Sequence, residues 1–154
     1  MSAVRETTLT SMKLQGWCPT HTRTHVRFGV REIIIDEPRS RGGTDRGPTP
    51  LQTLLASLIG CTNVILHKIA ERDGVSLESL QLEAEAVLDR RGVLLQEEVA
   101  VPFPRIELRI RLATDAEDSR IDKLKSDLGR FCPVSKILRQ SGTQIDETWT
   151  VTRQ

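Results

Sequence analysis

The sequence predicts an α+β fold, and three observations support this prediction. The first third of the chain is rich in β-branched residues, a long apolar helix follows, and two strands, two shorter helices and a last strand complete the chain. The predicted order β-β-α-β-β-α-α-β lacks the regular βαβ alternation of a parallel α/β fold. The two strands after the helix alternate between apolar and polar residues, which indicates antiparallel sheets.

The strands of the first third are expected at residues 8–16, which alternate weakly, and within residues 22–35. Residues 36–47 are predicted to form a loop, because glycine, proline and charged residues are dense there. This loop carries Arg39, Arg41 and Arg46 within eight positions. Loops beside a buried helix start often carry function, although each arginine alone is more often a solvated charge.

The long helix is predicted to begin at Thr49, a favourable N-cap, with Pro50 at the first helical position. It should end near Arg72, because Asp73 and Gly74 form a typical stop. Its first half is apolar nearly all round, which is typical of a helix buried on most sides. One chain offers too few elements to cover it, so we expect an obligate homodimer that buries more than roughly 2,000 Å².

The second half of the chain shows alternating apolar and polar residues and then helical spacing. The predicted elements are strands at residues 80–88 and 106–112, a hairpin or ordered loop at 90–104, a helix from about 115 that Gly129 interrupts, a short helix at 132–140 and a last strand at 143–151.

The composition is typical of one globular domain, predicted to span residues 1–154. The net charge of +1 gives no bulk field to attract nucleic acid or a membrane. No continuous apolar run approaches the roughly 20 residues that a membrane span needs, and the start of the chain has no apolar signal core. We therefore expect a cytoplasmic protein with no nucleic-acid or membrane partner, in a compartment where thiols stay reduced.

The three cysteines are Cys18, Cys61 and Cys132. An odd number without CxxC spacing fits neither a secreted disulfide framework nor a zinc ribbon. His21 and His25 follow Cys18, but a strand would place these two histidines about 13 Å apart, too far for one ion. No phosphate-binding, dinucleotide-binding, serine-hydrolase or zinc-protease motif is present. We therefore predict no metal and no organic cofactor.

Cys132 is predicted to cap the short helix, with Pro133 after it and Arg130 and Lys136 nearby. The positive end of a helix dipole and free backbone amides favour the thiolate, so we expect a pKa below the usual value of about 8.5. The alternative is a buried cysteine that acts as a small apolar residue, which is its commonest role. The local sequence favours neither.

Cys61 lies on the apolar stripe of the long helix, where a core cysteine is the commoner role when the residue is taken alone. Gly60 beside it would permit close approach of a ligand or another backbone. A thiolate there would need a cation, and the loop arginines are the obvious donors. A thiol inside one helix and a thiol at the start of another suggest a redox pair that the fold would bring together.

Three sequence blocks together resemble the OsmC/Ohr family, over residues 33–151. The blocks are Gly47-Pro48-Thr49-Pro50-Leu51-Gln52, Gly60-Cys61-Thr62 and Arg130-Phe131-Cys132-Pro133-Val134-Ser135. The resemblance implies an α+β fold in which two chains intertwine, with strands from both forming sheets around paired central helices. It also implies active sites at the dimer interface.

The best-known members of that family are thiol peroxidases that reduce organic hydroperoxides. By resemblance, Cys61 would attack the peroxide and become a sulfenic acid, and Cys132 would resolve it as a disulfide. A dithiol would then restore both thiols, a role that a lipoyl group has in one branch. The implied partners are a second copy of the chain, an organic hydroperoxide and a dithiol reductant.

The chain departs from the peroxidase branches at the helix start. Those branches carry a glutamate directly after the proline, paired with an arginine that holds the thiolate, whereas Leu51 stands at that position here. Arg41 matches the arginine by its distance before the helix, with Arg46 as a rival. Glu37 or Asp45 could supply the missing acid.

This departure keeps a second hypothesis open. The chain would then be an OsmC-like protein with little or no turnover that binds a small apolar or thiol-reactive ligand, or senses redox state. Turnover of an organic hydroperoxide with a dithiol distinguishes the two hypotheses.

Overall fold

The computed structural model describes residues 8–153. The chain forms two compact units, the first ending at Thr53 and the second beginning at Leu54. The elements are β1 (Gln15–Trp17), β2 (Thr24–Phe28), β3 (Arg31–Ile35), a 3-10 helix (Arg39–Arg41), α1 (Pro50–Asp73), β4 (Ser79–Val87), β5 (Arg105–Ala113), α2 (Asp118–Phe131), α3 (Pro133–Gln140) and β6 (Gln144–Thr152). The predicted α+β class is confirmed.

The first unit contains an antiparallel sheet with strand order β1-β2-β3. The β-branched stretch predicted at residues 22–35 is a hairpin, which Gly29 closes with a φ of +62°. A left-handed conformation of this kind favours glycine, because a side chain would clash with the backbone. The strand predicted at residues 8–16 is shorter than expected, since the described residues before Gln15 are exposed and pair with no strand.

The second unit contains a mixed sheet with strand order β4-β5-β6. β4 and β5 are antiparallel, and β5 and β6 are parallel. The expectation of purely antiparallel sheets is therefore wrong for β6. The reason is the connection: α2 and α3 carry the chain back across the sheet, and such a crossover lets the next strand run parallel.

The predicted alternation in β5 is confirmed. β5 is the central strand of the sheet in the second unit. Its inward-facing residues are all buried, while the residues between them are partly or fully exposed. The buried residues are Ile106, Leu108, Ile110 and Leu112.

The long helix α1 has a single buried stripe. Within this chain its buried residues are Leu58, Thr62, Leu66, Ile69 and Ala70. Apolar side chains elsewhere on the helix remain open, with Leu54 exposed by 38% and Val64 by 49%. Burial of the other sides of α1 by a second copy of the chain stays a prediction.

α1 is also long and apolar enough, by length and composition, to cross a membrane. This differs from the expectation from the sequence, which counted only uninterrupted apolar residues. Averaged hydropathy tolerates isolated polar side chains such as Thr53 and Asn63. The C-terminal part of α1 instead packs into a core cluster, where Ile69 and Ala70 meet Leu124 of α2.

α2 continues through Gly129 and ends at Phe131, so the predicted break at Gly129 is wrong. The C-cap of α2 is Cys132, whose φ of −71° and ψ of 108° are extended. The next residue is Pro133, and a proline ring disfavours the helical conformation of the residue before it. Proline therefore decides the boundary, and the glycine only lowers helix propensity.

Candidate thiol site

Cys132 joins two helices with no other residue between them. It is the C-cap of α2 and the N-cap of α3, as its position before Pro133 predicts. Its backbone amide donates to the carbonyl of Leu128 at 3.0 Å, and its carbonyl accepts from the amide of Lys136 at 3.0 Å. Both hydrogen bonds fix the backbone that carries the thiol.

The thiol of Cys132 is fully buried and meets the thiol of Cys61 from α1. Cys61 is close enough to contribute to the raised pKa of Cys132, although many elements separate the two residues in sequence. Cys61 itself is only partly buried, and Cys18 is exposed. The second unit therefore contains a thiol pair with one accessible member and one enclosed member.

Burial raises the pKa of Cys132 to about 11, and the hydrogen bond and charge of Cys61 act in the same direction. The backbone amides of Ser135 and Val134, at the start of α3, act in the opposite direction. The expectation of a lowered pKa is therefore wrong. The amides are present as predicted, but loss of solvent outweighs them. At neutral pH Cys132 is protonated.

The helix around Cys61 leaves space on one side. A side chain added at Gly60 would meet no atom of the described chain within 4 Å. Within this chain, Gly60 therefore packs against no other backbone. The buried stripe continues on either side of Cys61 with Leu58 and Thr62, and the Thr62 hydroxyl donates to the Leu58 carbonyl at 2.8 Å.

In the first unit, Thr49 and Gln52 form two reciprocal hydrogen bonds at the start of α1. The Gln52 amide donates to the Thr49 hydroxyl at 3.3 Å, and the Thr49 amide donates to Gln52 Oε1 at 2.9 Å. This reciprocal pair is a capping box. The predicted N-cap is confirmed, and the side chain of Gln52 is used in holding the helix start.

The arginine loop, residues 36–47, is organised by Asp36, which the sequence analysis missed. Asp36 is buried and accepts hydrogen bonds from the backbone amides of Glu37 at 2.8 Å, Thr44 at 3.2 Å and Arg46 at 3.2 Å, and from the Thr44 hydroxyl. Burial alone would raise the pKa of Asp36, but these hydrogen bonds hold it well below its usual range. An aspartate directly after an isoleucine run and before a glycine-rich loop was the available signal.

Two glycines allow the arginine loop to pack against its own stem. A Cβ at Gly43 would lie 1.7 Å from the carbonyl oxygen of Glu37, and one at Gly47 would lie 2.1 Å from that of Ile34. Neither contact is possible for a real side chain. The Asp36 amide also donates to the Pro48 carbonyl at 3.0 Å. Close backbone packing and this hydrogen bond therefore join the loop to β3 and to the residues before α1.

Arg41 lies on the 3-10 helix of this loop and is 59% exposed. Its Nε donates to Glu37 Oε2 at 2.6 Å. Glu37, one of the two acids that the sequence analysis considered, is thus the partner of Arg41.

Arg23 is a further arginine, which the sequence analysis did not consider because it precedes the loop. Its Nη1 donates to the Thr44 hydroxyl at 3.2 Å. Its Nε is buried and has no hydrogen-bond partner among the residues that the structure describes. No pattern in the sequence distinguishes it from a solvated arginine.

The sequence profile of the OsmC-like protein family matches residues 43–148 of this chain. The chain belongs to this family. The match includes the start of α1, both cysteines of the thiol pair and most of the mixed sheet.

Solved structures share the fold at low sequence identity. An OsmC-like protein from Mycoplasma pneumoniae superposes with a TM-score of 0.78 at 15% identity, over 93% of this chain and 98% of that one. An organic hydroperoxide resistance protein OsmC from Legionella pneumophila gives a TM-score of 0.62 at 18% identity, over 94% and 98%. The organic hydroperoxide resistance protein OhrB of Bacillus subtilis gives 0.57 at 18% identity, over 93% and 98%. A comparison with curated protein sequences gives no match.

Proposed function

We propose that this protein is a thiol-dependent peroxidase that reduces organic hydroperoxides through Cys61 and Cys132. The observation that carries the proposal is the contact between these two thiols in a chain of the OsmC-like family. The organic hydroperoxide resistance proteins among the solved structures with this fold add support. We place the activity in the cytoplasm, where a dithiol reductant is available.

The burial of the two cysteines supports a division of their roles. Cys61 is partly exposed, whereas Cys132 is enclosed and protonated at neutral pH. The thiolate of Cys61 would attack the terminal oxygen of the hydroperoxide, break the O–O bond and release an alkoxide that takes up a proton. Cys61 becomes a sulfenic acid in this step, and the peroxide is reduced to an alcohol.

Cys132 would complete the cycle by resolving the sulfenic acid. Its sulfur attacks the sulfur of Cys61, the thiol proton leaves with the hydroxyl group as water, and a Cys61–Cys132 disulfide forms. A dithiol then reduces this disulfide by two electrons and becomes a disulfide itself. No step of this sequence uses a metal or an organic cofactor.

A cation is needed to stabilise the thiolate and the departing alkoxide. We propose Arg41 for this role, held in place by Glu37. Glu37 would then replace the acid that the peroxidase branches carry at the position of Leu51. Arg23 is the alternative to Arg41 in this role, because its buried Nε–H group is a donor without a partner among the described residues.

We further propose that the protein acts as a homodimer. The apolar side chains that α1 leaves open, among them Leu54 and Val64, need a partner surface. A second copy of the chain would cover them and complete the two active sites. Sedimentation at micromolar concentration tests this proposal, because an obligate dimer gives no monomer and a stable monomer contradicts it.

A second candidate function is a family member that binds a thiol-reactive or small apolar ligand, or senses redox state, without efficient turnover. Leu51 favours it, because the acid of the peroxidase branches is missing at the helix start. The thiol pair would then be oxidised without catalytic consumption of peroxide.

Steady-state consumption of cumene hydroperoxide with a dithiol tests the proposal. We expect turnover by the wild type, none by Cys61→Ser, and a sulfenic acid that accumulates and can be trapped in Cys132→Ser. The matched control is Cys18→Ser, because Cys18 is exposed and its sulfur pairs with the Thr24 hydroxyl at 3.6 Å, outside the unit that contains the thiol pair. Wild-type protein that consumes no peroxide, yet closes the disulfide with another oxidant, would favour the second candidate.

A further inference from the structure

Asp127 of α2 is a buried carboxylate that pairs with basic side chains from two helices. It is 4% exposed and lies in the same unit as the thiol pair. Its Oδ2 accepts from the guanidinium of Arg72, at the end of α1, and lies 3.4 Å from Lys123 Nζ. Its Oδ1 accepts from Arg130 Nη1 at 3.1 Å. The hydrogen bond from Arg72 holds the pKa of Asp127 below its usual value despite burial.

The two arginines that Asp127 binds also contact one aromatic ring. The guanidinium of Arg72 lies 5.8 Å from the centroid of the Phe131 ring, and that of Arg130 lies 5.1 Å from it. Both distances are in the range of cation–π interactions. Phe131 directly precedes Cys132. Asp127 is therefore connected to the backbone of Cys132 through the two arginines and the Phe131 ring.

The same end of α1 is tied to α2 by a second acid. Asp73 binds Arg72 at 2.8 Å and also pairs with Lys123 of α2. Its backbone carbonyl accepts from Arg120 Nη1 at 2.7 Å. The apolar cluster that contains Ile69 and Leu124 also joins α1 to α2. The position of α2 along α1 is therefore fixed by charged contacts as well as by packing.

We propose that Asp127, Arg72, Arg130 and Phe131 form a clasp that positions Cys132 against Cys61 and thereby sets the redox equilibrium of the thiol pair. Asp127 acts here as a positioning residue, since it touches neither sulfur. This proposal rests on the proposed function only where it concerns the reaction with peroxide. The effect of the clasp on the equilibrium between dithiol and disulfide requires no peroxidase activity.

The physical reason is the narrow geometry of a disulfide. The two sulfur atoms must come within about 2.05 Å and the two Cα atoms within about 7 Å, so small displacements of one helix strongly affect closure. Restraint of one thiol beside the other raises the effective concentration of the pair. Loss of the Asp127 charge would free the guanidinium group of Arg130 and leave that of Arg72 held by Asp73 alone. The restraint on Phe131 would weaken, so that Cys132 samples more positions.

The test is the equilibrium of the purified protein with mixtures of reduced and oxidised dithiothreitol. The two cysteine thiols lose two protons and two electrons, and oxidised dithiothreitol gains both. We expect Asp127→Asn and Phe131→Leu each to shift the equilibrium constant toward the dithiol by about fivefold, the scale of one net hydrogen bond or one cation–π contact. Asp122→Asn is the matched control, because Asp122 lies on the same helix, is 75% exposed and pairs with Lys125.

Equilibrium constants of Asp127→Asn and Phe131→Leu that equal that of the wild type would overturn the proposal, even if both variants melt at lower temperature. That result would give the clasp a role in stability alone. Phe131→Leu keeps the test decisive if Asp127→Asn does not fold, since the ring is half exposed. Wild-type protein that equilibrates with dithiothreitol but does not consume peroxide would refute the proposed function and leave the clasp intact.

Discussion

Arg41 donates a 2.6 Å hydrogen bond to Glu37, which precedes it by four residues in the arginine loop. The pair is formed entirely within a loop whose backbone amides donate to Asp36 and whose close packing requires two glycines. An acid before the helix can therefore orient an arginine even though Leu51 stands where the peroxidase branches have a glutamate.

The first prediction concerns this pair. Arg41→Ala should lower the peroxide rate by about 100-fold, because removal of one charged donor to a developing anion has an effect of that order. Glu37→Gln should have a smaller effect in the same direction, and Leu51→Glu should raise the rate if Arg41 serves the thiolate. Arg39→Ala is the control. If Arg41→Ala matches the wild type while Arg23→Ala is inactive, Arg23 holds this role.

The second prediction concerns the reactivity of Cys132. Because burial raises its pKa to about 11, site-resolved alkylation of the reduced protein should label Cys132 slowly at pH 8, with a rate still rising at pH 10. Cys61→Ser should increase the labelling of Cys132 at a given pH, since Cys61 contributes to the raised pKa. Exposed Cys18 provides the internal reference. Labelling of Cys132 as fast as that of Cys18 at pH 8 would refute the prediction.

A third prediction follows from Asp36, whose pKa is lower in the folded chain than in the unfolded chain. The stabilisation from its charge is fully present above the unfolded pKa of about 3.9 and is lost as the pH falls further, through the folded pKa. Urea unfolding between pH 7 and pH 3 should therefore show a steeper loss of stability in the wild type than in Asp36→Asn. Equal slopes would contradict the assigned hydrogen bonds, and Asp122→Asn should leave the slope unchanged.

The capping box gives a fourth prediction. Thr49→Ala should lower the free energy of unfolding by about 1 kcal/mol, because a helix donor loses its acceptor. Gln52→Ala should have a smaller effect, and the double variant should cost less than the sum of both, because the two hydrogen bonds belong to one motif. Equilibrium urea denaturation measures all three values. Strict additivity would show that Thr49 and Gln52 act independently.

The sequence predicted the features that depend on local chemistry. Thr49 and Pro50 located the start of α1, and alternation located the buried face of β5. Pro133 located the start of α3. Each of these follows from a preference that one residue or a short pattern expresses without help from the rest of the chain.

The features that were missed depend on residues distant in sequence. The pKa of Cys132 was predicted from its own helix, whereas its burial comes from packing of the whole second unit. The parallel pairing of β6 depends on the path of α2 and α3, and the ion pair of Asp127 depends on Arg72 from another helix. These contacts cannot be predicted from the residues that neighbour each position in the sequence.

The most direct test of the central claim is one equivalent of cumene hydroperoxide added to the reduced wild-type protein, followed by mass spectrometry of the peptides. The account predicts one equivalent of the alcohol and a disulfide between Cys61 and Cys132, with two hydrogens lost per chain and Cys18 unchanged. Peroxide that stays unreduced, with Cys61 and Cys132 both still thiols, would contradict it.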